Sequence, residues 1–192
     1  PISLTESVAI KARVLKSSIF GGNTWSALAS SIYITALTEL RISELMFHPA
    51  DPTAEEIAAG HANDDDFEFL ELVNIGSGPL NLQGVRLSGG VRFEFSEATL
   101  LGPNESAVLV RDIEAFRVRH GETPRVLGAY EGALSNGGET LILTGRLGEI
   151  ILSFHYNDTW NALSDGQGHS LQIANLGEDV TAWDTAAAWK AS

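Results

Sequence analysis

The sequence has no cysteine and a single methionine among its 192 residues. Disulfides, thiolate metal centres and cysteine nucleophiles are therefore excluded. Basic residues are scarce: 12 Lys and Arg stand against 25 Asp and Glu, for a formal net charge of −13 and a pI near 4.6. Duplex nucleic acids are held mainly by Lys and Arg on phosphates, and this surface would repel them. No apolar run approaches the roughly 20 residues that a membrane-spanning helix needs. The H-E-x-x-H, G-x-S-x-G and EF-hand patterns are missing, and the glycine clusters at Gly76–Gly78 and Gly137–Gly138 read as turns rather than phosphate cradles. The chain starts at Pro1 without Met and shows no signal peptide. It is expected to be a piece of a longer protein whose targeting signals lie outside it.

What is present suits a folded domain. The chain is 44% hydrophobic and 19% charged, enough to build a core. Many short β-rich runs, separated by Gly, Asn and Pro, argue for an all-β protein. Charge is unevenly spread. Residues 1–38 hold Glu6 against Lys11, Arg13 and Lys16, a net of +2, which leaves −15 for the rest. From Ile42 to Val85 there are nine acids and no Lys or Arg.

In residues 1–38, Val8, Ile10, Ala12 and Val14 alternate with more polar positions, which predicts a strand with one buried face. Phe20–Asn23 reads as a turn, and a second strand follows from Trp25. A lone hairpin is marginal in water, so these strands need a neighbour to pack on. Beyond Leu40, strands are expected in RISELMFHP, FEFLELVN, LNLQGVRL, VRFEF, SAVLV, ETLILT, EIILSFHY and HSLQI. A helical turn is expected near Thr53–Ala59 and another in IEAFRVRHG, and the tail from Thr181 shows no strong pattern. In FEFLELVN, Phe67, Phe69, Glu71 and Val73 share one face, while Glu68, Leu70 and Leu72 share the other. Close strands, short turns and little helix fit a β-sandwich.

Two ordered series of residues carry resemblances. Ile42–Met46 with Pro49, Phe69–Leu72 with Asn74, Leu80–Leu82 with Gly84 and Val85, Leu101–Glu105, Leu134–Glu139, Tyr156 with Asp158, Asp165–Gly166, Ser170–Leu171 and Trp189–Ser192 occur in the order of the lamin tail domain in its bacterial extracellular form. Residues 39–192 resemble that family over about 150 residues. The family often has Trp where Val85 stands, and the loop Ala50–Asp66 is longer and more acidic than usual. Pro1-Ile2, Ser3–Thr5, Ile10–Arg13 and Trp25-Ser26 are similar to the last strands of the β-sandwich module at the C-termini of chitobiase and β-hexosaminidase-type proteins. Residues 1–38 would then be a truncated fragment of such a module. The first resemblance implies an immunoglobulin-like β-sandwich that docks rather than catalyses, in a large secreted or cell-surface bacterial protein.

Candidate ligand sites are few. Asp64, Asp65 and Asp66, with Glu68 and Glu71 nearby, offer hard oxygen ligands, for which calcium would be the ion. The plainer reading is a solvated acidic loop leading into a strand. Glu44 and Glu71 each sit in an otherwise apolar strand. Paired carboxylates can hydrolyse glycosides, but a structural role weighs more. The histidines, His48, His61, His120, His155 and His169, form no metal-ligand spacing. Trp25, Trp160, Trp183 and Trp189 could make a carbohydrate-stacking surface, but aromatics more often fill a core. The expectation is a non-catalytic interaction or architectural module with no cofactor beyond that calcium. Its partners would be other domains of the same polypeptide, or a protein or cell-surface ligand, with no nucleic acid and no membrane span in this chain. A dimer is conceivable through open strand edges. The alternatives are a calcium-dependent or carbohydrate-binding adhesion module and, third, an enzyme with a distributed carboxylate site.

Overall fold

A computed structural model describes residues 8–17, 22–33 and 37–192. The chain divides into two compact units, Pro1–Ala36 and Leu37–Ser192.

In the first unit, strand β1 (Val8–Ala12) runs antiparallel to β4 (Ala29–Tyr33), and β2 (Leu15–Ser17) to β3 (Asn23–Trp25). Between the two pairs, the Val14 N–H donates to Ser26 Oγ at 3.0 Å and the Ser26 N–H to the Val14 carbonyl at 2.8 Å. The expected strands form, but the expected buried face does not. Val8 is half-buried, Ala12 is exposed, and Ile10 and Val14 are 43% and 69% exposed. Alternation sets which side chains share a face, and a two-stranded ribbon supplies no second layer to cover them. Phe20 and Gly21 of the expected turn, and Pro1–Thr5, lie outside the described residues.

The second unit is a β-sandwich. Its strands are β5 (Leu40–Met46), β6 (Phe69–Asn74), β7 (Leu80–Asn81), β8 (Arg86–Ser88), β9 (Val91–Glu94), β10 (Leu100–Leu101), β11 (Ser106–Val110), β12 (Val126–Ala129), β13 (Glu131–Gly132), β14 (Glu139–Thr144), β15 (Ile150–Tyr156), β16 (Leu171–Ile173) and β17 (Trp189–Ala191). One sheet has the order β12-β11-β6-β5-β16-β17, the other β13-β9-β8-β14-β15, and β7 pairs with β10. All pairings are antiparallel except β11 with β12. The core between the sheets takes Ile42, Leu45, Leu70, Leu72, Leu109, Leu141, Leu143, Leu152, Phe154 and Leu171, all nearly inaccessible to solvent. LNLQGVRL is two strands rather than one. Gly84, at φ 82°, turns the chain between β7 and β8, a conformation that a side chain would strain.

A register shift in β5 decides where two of the acids go. Ile42 pairs with Leu72 and Glu44 with Glu71, so Ser43 is an extra residue. Ile42 and Leu45 thereby both reach the core, while Ser43 and Glu44 stay half-buried.

The two helices among the described residues sit where sequence signals expect them. Helix α1 (Ala54–Ala58) starts with a full capping box: Thr53 accepts from the Glu56 N–H, and Glu56 accepts from the Thr53 N–H. Helix α2 (Ile113–His120) is capped by Asp112, which accepts from the N–H groups of Glu114 and Ala115. Phe116 of α2 joins Met46, Phe69, Val108 and Val110 in a second, smaller cluster. By strand alternation these are outward positions, so α2 covers one end of the outer face of the six-stranded sheet. The patternless tail is structural. Trp183 is fully buried, Trp189 nearly so, and Trp189 Nε1 donates to the Trp183 carbonyl at 2.8 Å. Its short 3-10 turns and three-residue strand give too little periodicity to read from sequence.

Candidate functional site

Chemistry-bearing side chains concentrate where the acidic segment 50–68 meets the sandwich. Glu68 lies one residue before β6, on the same side as Leu70 and Leu72, and is fully buried. One carboxyl oxygen, Oε2, accepts from the Tyr130 hydroxyl at 3.1 Å and from the Leu134 N–H at 2.9 Å. The other, Oε1, faces Arg111 Nη1 at 3.7 Å, and neither of those two atoms has a hydrogen-bond partner. Arg111 Nη1 also lies 3.3 Å from Asp65. Burial raises the Glu68 carboxyl to about 8, against the opposing pull of the Leu134 N–H, the Tyr130 hydroxyl and Arg111. The Tyr130 hydroxyl is itself raised, by burial and by the adjoining carboxylate.

The acidic segment is tied down at three points. Glu56 and Arg119 form a two-pronged ion pair at 2.7 and 2.9 Å, linking α1 to α2. The Arg119 guanidinium stacks over Phe67 at 3.5 Å and donates to the Ala50 carbonyl at 3.3 Å. The Arg119 hydrogen bond holds Glu56 at about 2, below the usual carboxylate range. Asp65 meets Arg111, and Asp64 lies 3.9 Å from His48, whose other ring nitrogen is 2.5 Å from Asp165. Asp64, Asp65 and Asp66 lie in a 3-10 turn, Asp64–Phe67. Among the described residues no group of three or more His, Asp or Glu side chains is placed to hold a metal ion.

Glu44 and Glu71 do come together, as register partners on adjacent strands. Glu71 accepts from the Ser43 hydroxyl at 2.5 Å. Glu44 accepts from the Ser170 hydroxyl and from Gln172 Nε2, the latter at 3.0 Å. These donors are neutral, and Ser170 therefore points at Glu44.

The sequence matches the family model described as Lamin Tail Domain over residues 35–158, more than half of the chain. The chain belongs to the lamin tail domain family. No curated protein matches it. The family's fold is the immunoglobulin-like β-sandwich, and the two sheets described above are its layers. The sandwich runs past the matched segment, because β16 and β17 extend the six-stranded sheet from β5.

Several markers of the lamin tail series hold the fold together. Asn74 is fully buried: its amide nitrogen donates to the carbonyls of Gly78, Leu101 and Gly102 at 2.8–3.0 Å, and its oxygen accepts from the Gly76 N–H at 2.9 Å. Glu139 accepts from the Ser135 N–H, the Gly90 N–H and the Tyr156 hydroxyl. That hydroxyl also donates to the Ser135 carbonyl at 2.9 Å. Glu105 accepts from the Gly102 N–H at 2.6 Å and pairs with Arg125. These acids and amides bolt turns to strands.

The histidines and tryptophans are similarly placed. His120 meets Phe69 edge-on and lies tilted against Phe116, where burial lowers its basicity. His61 meets the edge of Phe67, His155 approaches Thr140, and His169 contacts the carbonyl of Ser192. Trp160, Trp183 and Trp189 cluster with Phe154 at 5.2–6.3 Å, whereas Trp25 is 57% exposed in the other unit. A groove of about 620 Å³ lies over β8 and β9, with Phe93 in its lining and two salt-bridged pairs, Arg86–Glu94 and Arg92–Glu131. Sequence reasoning singled out Glu44 and Glu71, named Glu68 as an acid beside Asp64–Asp66 and Asn74 as a family marker without a structural role for either, and passed over the Glu56–Arg119 pair. Strand alternation, which sets Glu68 with Leu70 and Leu72, was the available signal for Glu68.

Proposed function

We propose that this chain is a non-catalytic interaction or architectural module of a larger secreted or surface bacterial protein. The observation that carries the reading is the use made of its acids. Glu56, Glu68, Glu71, Glu105 and Glu139 each hold a loop, turn or neighbouring strand in place. A catalytic carboxylate instead needs a free face toward a substrate. The fold of the family supports the same reading, since an immunoglobulin-like sandwich is a rigid scaffold. The bacterial setting, the secreted or surface location and the neighbouring domains rest on the sequence resemblance alone.

The test is a panel of hydrolase and transferase substrates run beside direct binding measurements on the flanking domains of the parent polypeptide. Binding without turnover is the expected result. Turnover that disappears in Glu71→Gln, with an unchanged melting temperature, would refute it. Glycan binding lost on Trp160→Ala would move the module to the carbohydrate-binding class.

A further inference from the structure

We infer that the turn at Asn136-Gly137 is a site of spontaneous modification, where the folded chain loses ammonia and becomes aspartyl or isoaspartyl. Asparagine is a thermolabile residue, and three local conditions decide which one reacts. Its amide must be free to turn, the next backbone nitrogen must be able to reach it, and no bulky side chain may block the approach. Of the nine asparagines, only Asn136 is followed by glycine, which has no Cβ. Both residues are exposed at the centre of a β-turn between β13 and β14, closed by the Gly138 N–H donating to the Ser135 carbonyl at 3.1 Å. Among the described residues no hydrogen bond engages the Asn136 side chain. The Gly137 N–H donates to Ser135 Oγ at 3.3 Å, longer than is typical. A Cβ added at Gly137 would meet nothing nearer than Ser135 Oγ at 3.9 Å, so the space around the attacking nitrogen is open.

Comparable residues elsewhere are held. The amide oxygens of Asn81, Asn157, Asn161 and Asn175 each accept from the N–H two residues on, at 3.0–3.1 Å. Asn74 is fully buried, with both amide atoms bonded. Asp165-Gly166 could close the same ring, but the Gly166 N–H donates to the His48 carbonyl at 3.1 Å and the carboxylate lies 2.5 Å from the His48 ring. At Asn136 the chemistry balances as follows. A base in solvent takes the Gly137 amide proton, and the nitrogen attacks Asn136 Cγ. The Cγ–Nδ2 bond breaks, and Nδ2 takes a proton from water and leaves as ammonia. Water then opens the five-membered succinimide at either carbonyl. One opening gives aspartate, the other isoaspartate, whose main chain runs through Cβ and Cγ. One water is consumed and one ammonia released, with no change of oxidation state. The turn also anchors the fold. The Leu134 N–H donates to Glu68 at 2.9 Å, the Ser135 N–H to Glu139 at 3.0 Å, and the Tyr156 hydroxyl to the Ser135 carbonyl at 2.9 Å. An isoaspartyl link lengthens the main chain inside this turn and loosens those bonds.

Ageing the whole chain in warm, mildly alkaline buffer tests this, beside the same chain held in urea, with peptide mass spectrometry at intervals. The peptide containing Asn136 should convert first in the folded chain, heavier by the difference between OH and NH2. Part of the product should accept methyl groups from an isoaspartyl methyltransferase. Gly137→Ala should convert several-fold more slowly, and the backbone tolerates it because φ there is not positive. Asn136→Ser should give no product at this turn. Aged wild type should melt below fresh protein, whereas aged Asn136→Ser should keep its melting temperature. A folded chain that stays intact while the urea-held chain converts overturns the proposal. Earlier conversion at another asparagine, or Gly137→Ala ageing as fast as wild type, overturns it too. Full conversion with an unchanged melting temperature overturns the link between this turn and the fold.

Discussion

The hairpin strands β1 and β4 and the sandwich strands β5 and β6 make an instructive pair. Each pair contains a strand with stretches of alternating apolar and polar side chains, β1 and β5, and both form antiparallel ladders. In the sandwich the apolar face disappears: Ile42, Leu70 and Leu72 have no accessible surface. In the hairpin Ile10 keeps 43% of its surface and Ile32 58%. The same local pattern thus has two outcomes. Alternation specifies which residues will share a face, but burial requires a second layer, and among the described residues only the sandwich supplies one within its own unit.

The sharpest way to break that contrast is to delete the same kind of side chain on each side of it. Leu72→Ala should cost about 2–5 kcal/mol, as buried leucines do. Ile10→Ala should leave the unfolding of the sandwich within about 0.5 kcal/mol of wild type, as an exposed site does. Urea unfolding followed by tryptophan fluorescence reads both, since Trp183 and Trp189 report on the sandwich core. An equal loss in the two variants would dissolve the distinction.

Asn74→Ala comes next. It would strand the Gly76 N–H and up to three carbonyls in or near the core, for a loss of about 1–3 kcal/mol. Asn74→Asp should also be costly, because a carboxylate cannot donate to the carbonyls of Gly78, Leu101 and Gly102.

Acid and base should then separate two buried acids of the same segment. Glu56 sits at about 2 in the folded chain against about 4.5 when free, so its contribution is complete above about pH 4.5. That contribution fades as pH falls toward 2. Glu68 behaves oppositely. With a folded value of about 8, it holds a proton that the unfolded chain releases above about 4.5. Stability should therefore decline as pH rises from about 4.5 to 8. Urea midpoints from pH 3 to 9 should show both slopes. Glu56→Gln should flatten the acid limb and Glu68→Gln the neutral one. A neutral limb that keeps its slope in Glu68→Gln would show that another group supplies it.

The smallest expected effect concerns the aspartates. Asp64 and Asp65 already face His48 and Arg111, so millimolar calcium and excess chelator should give the same melting temperature. A rise in calcium that is lost in Asp65→Asn would restore the loop as a cation site.

Most strands were legible because alternation is a local property. The pairing of Glu44 with Glu71 was not, since it depends on a register set by one extra residue, Ser43, in β5. The division of LNLQGVRL was hidden by the ease with which Gly84 adopts a positive φ inside a strand-like run. Strand β12 escaped notice for its shortness and its parallel pairing, and β17 because a three-residue strand has almost no period. Of the candidate site, the acids were visible as residue types, but their partners, Arg111, Arg119 and Tyr130, come from sequence positions more than forty residues away.

By itself, the sequence determined the all-β class, the family, the places of the helices and, away from the irregularity at Ser43, the face on which most strand residues would lie. Those depend on backbone geometry, hydrogen-bonding capacity and hydrophobic spacing over a few residues. Tertiary structure decided which face found cover, that Trp183 and Trp189 would close the core, and that the acids of segment 50–68 would hold the fold together. Cover, register and charge partners are set by packing between distant segments. Pairing Glu56 with Arg119, or burying Glu68 beside Tyr130 and Arg111, exists only once the sheets have closed.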